Sequence, residues 1–339
     1  MRILFIAEEK HYKNWIGKTY SDLLVYYKNN SKNDVTIVYT GEKIKNFIKP
    51  DIIVFLDTDT LRFAKNYKNL FNLKIPIYGS GLDLFNFDRR RNGPIHCPYI
   101  KKCNGILHFG HASKLLSSYK EYFPNKIIKS FKGRFVNSNR FKNYKLNKKY
   151  DILIYGTRSF QWDFTSHKAD QEYKKKWEKH NNKKIPNEWH FYPLRYRLEN
   201  LLIKNKDKYN VYILKGACIN NAVVANEDLS KLINQSWLTL SSCSRADIPM
   251  AKYFEIAASY SGILGNIPSD YNDLFKNNIV EVTEWMTDEE ILFTIDEALK
   301  NKKKLQEMIN RLGDRIHKEY NLEAGTKDMD RVFNDLINL

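Results

Sequence analysis

The sequence predicts an α/β chain built as two doubly wound parallel-sheet domains, and three observations predict it. Short β-rich apolar runs alternate with helix-spaced segments through the first half of the chain. The alternation lapses in a polar, basic stretch at residues 129–149 and restarts at Asp151 with the run DILIY. At 339 residues there is length for two domains, each with its own core. These place a boundary near residue 145, giving a first domain 1–145, a second 146–320 and a terminal segment 321–339.

In chain order, residues 3–7, 35–39, 52–56 and 75–78 read as strands, with helix-spaced apolar residues at 21–28 and 60–70 between them. Residues 106–109 form the next strand and 112–122 the next helix. After the polar stretch, strands are expected at 151–155, 211–214, 238–240, 263–264 and 279–282. From residue 289 onward the pattern is that of consecutive amphipathic helices. Residues 161–191, aromatic and charged, interrupt a strand-to-helix connection, with 168–180 helix-like inside them. A loop of that length is functional, here a chooser of acceptor, or a surface insertion.

Composition narrows the class. With 42% hydrophobic and 14% aromatic residues the chain is globular, and no apolar run nears the ~20 residues of a membrane span. The opening MRILFIAEEK reads as a first strand rather than a leader, so a cytoplasmic location is expected. The net charge of +17 fits an acidic acceptor, such as nucleic acid or an anionic membrane surface. The lysine excess over arginine equally fits an AT-rich coding sequence. Four cysteines, at 97, 103, 218 and 243, suit a reducing compartment, and Cys97, Cys103, His108 and His111 lack the spacing of known zinc sites.

Ligands in open α/β sheets bind at the C-terminal ends of strands, where helix N-termini converge. Gly17, in a turn after the first strand, permits close approach to a phosphate or sugar. The GKT tripeptide at 17–19 is no P-loop, because position 12 is tyrosine. After DILIY come Gly156, Thr157 and Arg158, a combination suited to a diphosphate. Pro193 opens a helix that carries Arg195 toward the same place. The richest segment, R-x-D-x4-K-x2-E, holds Arg245, Asp247, Lys252 and Glu255, followed by the apolar run Gly262–Gly265. A fourth segment, IPIYGSGLD, ends at Asp83. Asp57 and Asp59 form a D-x-D of the kind that holds a divalent metal, although Asp59 also suits a helix cap.

The Asp247–x7–Glu255 constellation resembles the donor site of the GT-B glycosyltransferases, whose retaining members often show E-x7-E. That resemblance implies two Rossmann-like doubly wound domains facing a central cleft, with the terminal helix packed back on the first. It further implies transfer of a sugar from a UDP- or GDP-sugar to an acceptor hydroxyl on a glycan or glycoconjugate, with retention favoured. In those terms Glu255 meets the ribose and Asp247 the sugar, Arg245 and Lys252 neutralise the departing diphosphate, and Gly17, Gly156, Thr157, Arg158 and Arg195 hold the donor. No cofactor beyond the nucleotide-sugar co-substrate, and no essential metal, is expected.

Weaker similarity, in IPIYGSGLD, DILIYGTRSF and YFEIAAS, is to the DNA β-glucosyltransferase of T-even phages, in which an aspartate acts as base. It implies that Asp83 is the base of an inverting reaction, with His108 or His111 as alternatives. Other readings left open are a DNA-modifying glucosyltransferase, a non-catalytic nucleotide-sugar or polyanion binder, and a two-domain epimerase.

Overall fold

A computed structural model describes residues 1–8, 19–40, 42, 49–56, 63–80, 99–156, 161–164, 168–214 and 226–338. The chain forms two compact units, one of Met1–Phe135, Thr165–Lys168 and Leu322–Leu339, the other of Val136–Phe164 and Ala169–Asn321.

The first unit is built on six parallel strands: β1 (Arg2–Ala7), β2 (Asp34–Tyr39), β3 (Ile52–Leu56), β4 (Ile77–Ser80), β5 (Gly105–His108) and β6 (Ile127–Ser130). Their order is β2-β1-β3-β4-β5-β6. The central strands β1 and β3 are apolar on both faces and buried, as parallel sheets covered on both sides require. β2, at an edge, instead alternates between buried and exposed residues. β4 begins at Ile77, after Pro76, whose carbonyl accepts from the Ile53 N–H although the proline itself has no hydrogen to donate.

Helices α1 (Thr19–Asn30) and α2 (Ser113–Tyr122) belong to this unit. So does the terminal helix Leu322–Ile337. Its Asp330 accepts from Tyr27 Oη at 2.7 Å and Ser31 Oγ at 2.9 Å, and its Phe333 packs edge-on against Phe5 at 5.8 Å.

The second unit has a five-stranded parallel sheet of β7 (Tyr150–Ile154), β10 (Val211–Ile213), β11 (Ser236–Leu240), β12 (Gly262–Gly265) and β13 (Val280–Glu281). A short antiparallel pair, β8 (Gln161–Asp163) and β9 (Glu188–His190), stands apart from it. The helices are α3 (Lys168–Asn181), α4 (Pro193–Lys204), α5 (Asn226–Asn234), α6 (Lys252–Ala258), α7 (Asp288–Lys300) and α8 (Lys302–Glu319). Leu198 and Leu202 of α4, Ile291 and Ile295 of α7, and Leu305 and Ile309 of α8 pack with Ile152, Leu238 and Leu264 of the sheet in one core. Their i, i+4 spacing is what turns one face of each helix inward. A reciprocal capping box, Thr287 with Glu290, starts α7.

The aromatic segment 161–191 is an ordered β8–α3–β9 insertion where its residues are described, and α3 matches the helical stretch expected inside it. Phe164, Tyr173 and Ile185 form a small core of its own, against which Trp177, Trp189 and Trp285 pack. Among the described residues no helix is long and apolar enough to cross a membrane.

Candidate functional site

The strand order of the second unit, β10-β7-β11-β12-β13, reverses direction between β7 and β11. A crevice opens beyond the carboxyl ends of strands at such a switch point, and ligands of doubly wound sheets bind there. Three segments meet at that place: the turn after β7, the first turn of α4 and the first turn of α6.

Gly156 closes β7 with φ +94°, a conformation that side chains rarely adopt. A Cβ there would lie 2.0 Å from Lys252 Nζ and 3.1 Å from Arg195 Nη2, so glycine is what lets two cations reach the strand end. Both donate to the carbonyl oxygen of Tyr155, Lys252 Nζ at 2.7 Å and Arg195 through Nη2. Arg195 is 5% exposed, and its Nε–H is buried without a hydrogen-bond partner.

Burial, then the neighbouring Arg195 charge, hold the Lys252 ammonium well below its ordinary pKa, against the pull of Glu255 and Glu199. Burial likewise lowers Arg195. Glu255 is 4% exposed on α6. The Tyr155 phenol is pushed well up by burial first and by the neighbouring Glu255 carboxylate second. At the end of β11 the Ser241 and Ser242 hydroxyls are also buried and unpartnered. The site thus holds two cations and several unspent polar groups around a glycine turn. Chemically, this is a place for the oxygens of a diphosphate beside a carboxylate that accepts hydroxyl hydrogens.

The structure brings together Gly156, Arg195, Lys252 and Glu255. Arg245 is directed elsewhere: its side chain is wholly buried, with Nε 2.5 Å from Asp170 Oδ1 and Nη2 3.0 Å from Oδ2. It also donates to the carbonyls of Trp189 at 3.1 Å and Asp163 at 2.6 Å, and stacks on Phe164 at 4.3 Å. A guanidinium so enclosed ties the insertion to the 241–251 loop.

Asp247 takes a left-handed backbone, φ 62°, and its carboxylate accepts from Ser269 Oγ at 2.5 Å and Ser269 N–H at 3.3 Å. Non-glycine residues in that region carry strain and cluster at functional positions. Gly17, Asp83, Thr157 and Arg158 lie outside the described residues, as do Asp57, Asp59, Cys97 and Cys218.

In the first unit, His108 is buried, its Nδ1 2.5 Å from the Gly110 carbonyl, and burial lowers its pKa to about 4. His111 Nδ1 lies 3.2 Å from Ser130 Oγ. Among the described residues no cluster of three His, Cys, Asp or Glu is placed to hold a metal ion.

Three participants escaped the sequence reading. Tyr155 acts through its carbonyl, which no residue pattern advertises. Glu199 follows Arg195 by four residues, a helical spacing that puts both on one face of α4 and was legible. Asp170, the Arg245 partner, lies 75 residues away in the chain and left no local signal.

No protein-family model matches the sequence, and no curated protein sequence matches it either. Solved structures do match in fold. Sucrose-phosphate synthase of Thermosynechococcus elongatus aligns at 9% identity and TM-score 0.62 over 100% of this chain and 99% of that one. HepE of Anabaena, in complex with UDP and glucose, aligns at 10% identity and TM-score 0.60 over 99% and 100%. UDP-GlcNAc 2-epimerase of Neisseria meningitidis, bound to UDP-GlcNAc, aligns at 13% identity and TM-score 0.51, again over 99% and 100%. The fold of this chain is the GT-B fold that glycosyltransferases share.

Proposed function

We propose that the protein is a glycosyltransferase that moves a sugar from a UDP-sugar to an acceptor hydroxyl on a glycan or glycoconjugate. The observation that carries this reading is the convergence of Arg195 and Lys252 on the Tyr155 carbonyl beside Gly156, at the switch point of the second sheet. UDP is favoured over GDP as the donor's nucleotide because HepE and the epimerase, both of this fold, are described with UDP or a UDP-sugar.

In this reading the diphosphate lies against Arg195, Lys252 and the backbone at Gly156, with Glu255 accepting the ribose hydroxyls and Asp247 facing the sugar. As the bond between the anomeric carbon and the phosphate oxygen breaks, negative charge grows on the leaving diphosphate. A buried, preoriented cation is worth ~3–4 kcal/mol there. With retention, the departing phosphate oxygen takes the acceptor proton, and no protein base is required. With inversion a base is needed, and Asp83, His108 or His111 is the candidate. The reaction as proposed requires no metal.

The test is a thermal-shift panel of UDP, GDP, ADP and TDP without added metal. UDP at 100 times its Kd stabilises by about 2.7 kcal/mol. No shift with any nucleotide, with or without Mn²⁺, sinks the reading. The neighbouring epimerase supports one rival, an epimerase acting on a UDP-sugar. Interconversion of two UDP-sugars with no acceptor present decides for it, and slow release of UDP and free sugar decides for the transferase.

A further inference from the structure

A pocket of about 350 Å³ opens in the second unit, at the N-terminal ends of β7, β11 and β12. It is lined by Lys148, just before β7, by Asn234, just before β11, by Tyr260, just before β12, and by Gln306 and Asn310 on α8. The nucleotide site lies at the opposite, C-terminal edge of the same sheet, so the two are separate.

The lining chemistry is specific. Five residues with carboxamides, Asn143, Asn147, Asn234, Gln306 and Asn310, share the wall with Lys145 and Lys148, and no carboxylate is among the lining residues. The Asn234 amide is spent on the Leu146 N–H, Asn143 Oδ1 and the Ser259 carbonyl, so the other four are the ones left to meet a ligand. Lys148 Nζ donates to the carbonyls of Ser236 at 2.9 Å and Tyr260 at 2.7 Å and lies 5.8 Å from the centroid of the Trp237 ring. Burial brings that ammonium down to about 7, as for a cation that lacks a counter-charge. Two wall residues, Lys145 with φ 54° and Tyr260 with φ 55°, are non-glycine residues in the left-handed region, and among the described residues only five such residues occur. Strain of this kind collects at ligand sites. Carboxamides match the hydroxyls of a polyol in both donor and acceptor sense, cations match an anionic oxygen, and the volume suits a monosaccharide rather than a polymer.

We propose that this pocket is a second ligand site for a small polyhydroxylated anion, a sugar phosphate or a sugar acid. Its occupation does not depend on the transferase reading.

The test is calorimetric titration of the full chain with glucose 6-phosphate and with glucuronate, each without and with saturating UDP. Glucose and inorganic phosphate serve as the two halves of the ligand. Saturable binding of either sugar anion, retained with UDP present and weakened at least tenfold in Asn310→Asp, supports the site. Asn310 is exposed on α8 and its Oδ1 accepts from Gln306 Nε2 at 2.8 Å, a bond an aspartate keeps while adding the repelling charge. Lys148→Met gives the same loss if it folds, and Asn310→Asp decides if it does not. No saturable binding of either anion overturns the proposal. So does binding that UDP displaces, binding indifferent to Asn310→Asp, or binding of glucose as tight as that of the anions.

Discussion

At Gly156 the surroundings allow a hydrogen atom and nothing larger. Replacement by alanine sets a methyl group against Lys252 Nζ and forces a side chain into φ +94°. The backbone term alone costs about 1–2 kcal/mol, and Lys252 must leave the Tyr155 carbonyl to make room. Gly156→Ala is therefore expected to lower thermal stability modestly and to weaken UDP binding at least tenfold, both read in one thermal-shift titration.

Glu255→Gln should weaken UDP by about 1–3 kcal/mol, the scale of a lost charge-assisted hydrogen bond. An unchanged UDP affinity removes Glu255 from the site. Lys252 supplies a third expectation. Its ammonium is held well below the ordinary range by burial and the neighbouring Arg195 charge, and a bound diphosphate raises it again. Between the lowered and the restored pKa, UDP binding should then take up protons, visible as a buffer-dependent binding enthalpy that Lys252→Met abolishes.

The insertion β8–α3–β9 shows at the scale of elements what a sequence reveals and what it hides. The helix within it was legible from spacing, and so were the buried strands of both sheets, because apolar runs bounded by turns carry their own signature. The pair β8 and β9 was not, since QWD and EWH lack the β-branched apolar residues that mark the equally short β10, VYI. Of the site, the glycine turn and the cations were legible as residue types, but the direction of Arg245 was not. Its carboxylate partner Asp170 sits on α3, and only the folded insertion brings the two within 2.5 Å.

That pairing makes a prediction about the element as a whole. Removing one partner of a buried ion pair strands the other, at about 3–5 kcal/mol. Asp170→Asn and Arg245→Met should each lower the melting temperature sharply, whereas the double replacement Asp170→Leu with Arg245→Met should recover much of the loss. Equal damage from single and double variants contradicts an ion pair that acts mainly by mutual neutralisation.

For the whole molecule, the titration of His108 links a local burial to global stability. Its folded pKa of about 4 lies below the ordinary 6.5. The unfolded chain therefore binds more protons between those values, and stability present above pH 6.5 is lost as pH falls toward 4. The full span corresponds to about 3 kcal/mol. Urea unfolding across pH 4–7 should show this slope, and His108→Gln should flatten it. A variant with an unaltered profile assigns the acid sensitivity to other groups.

The terminal helix Leu322–Ile337 shares a core with Phe5 and Tyr27 of the opening strand and first helix. Synthesis on the ribosome runs from one end to the other, so the first strand, Arg2–Ala7, emerges long before the terminal helix Leu322–Ile337 that packs on it has been translated. The second unit, whose strands and helices all lie between residues 136 and 321, has no such wait. During that interval Phe5 and its neighbours are the surface on which a chaperone would act.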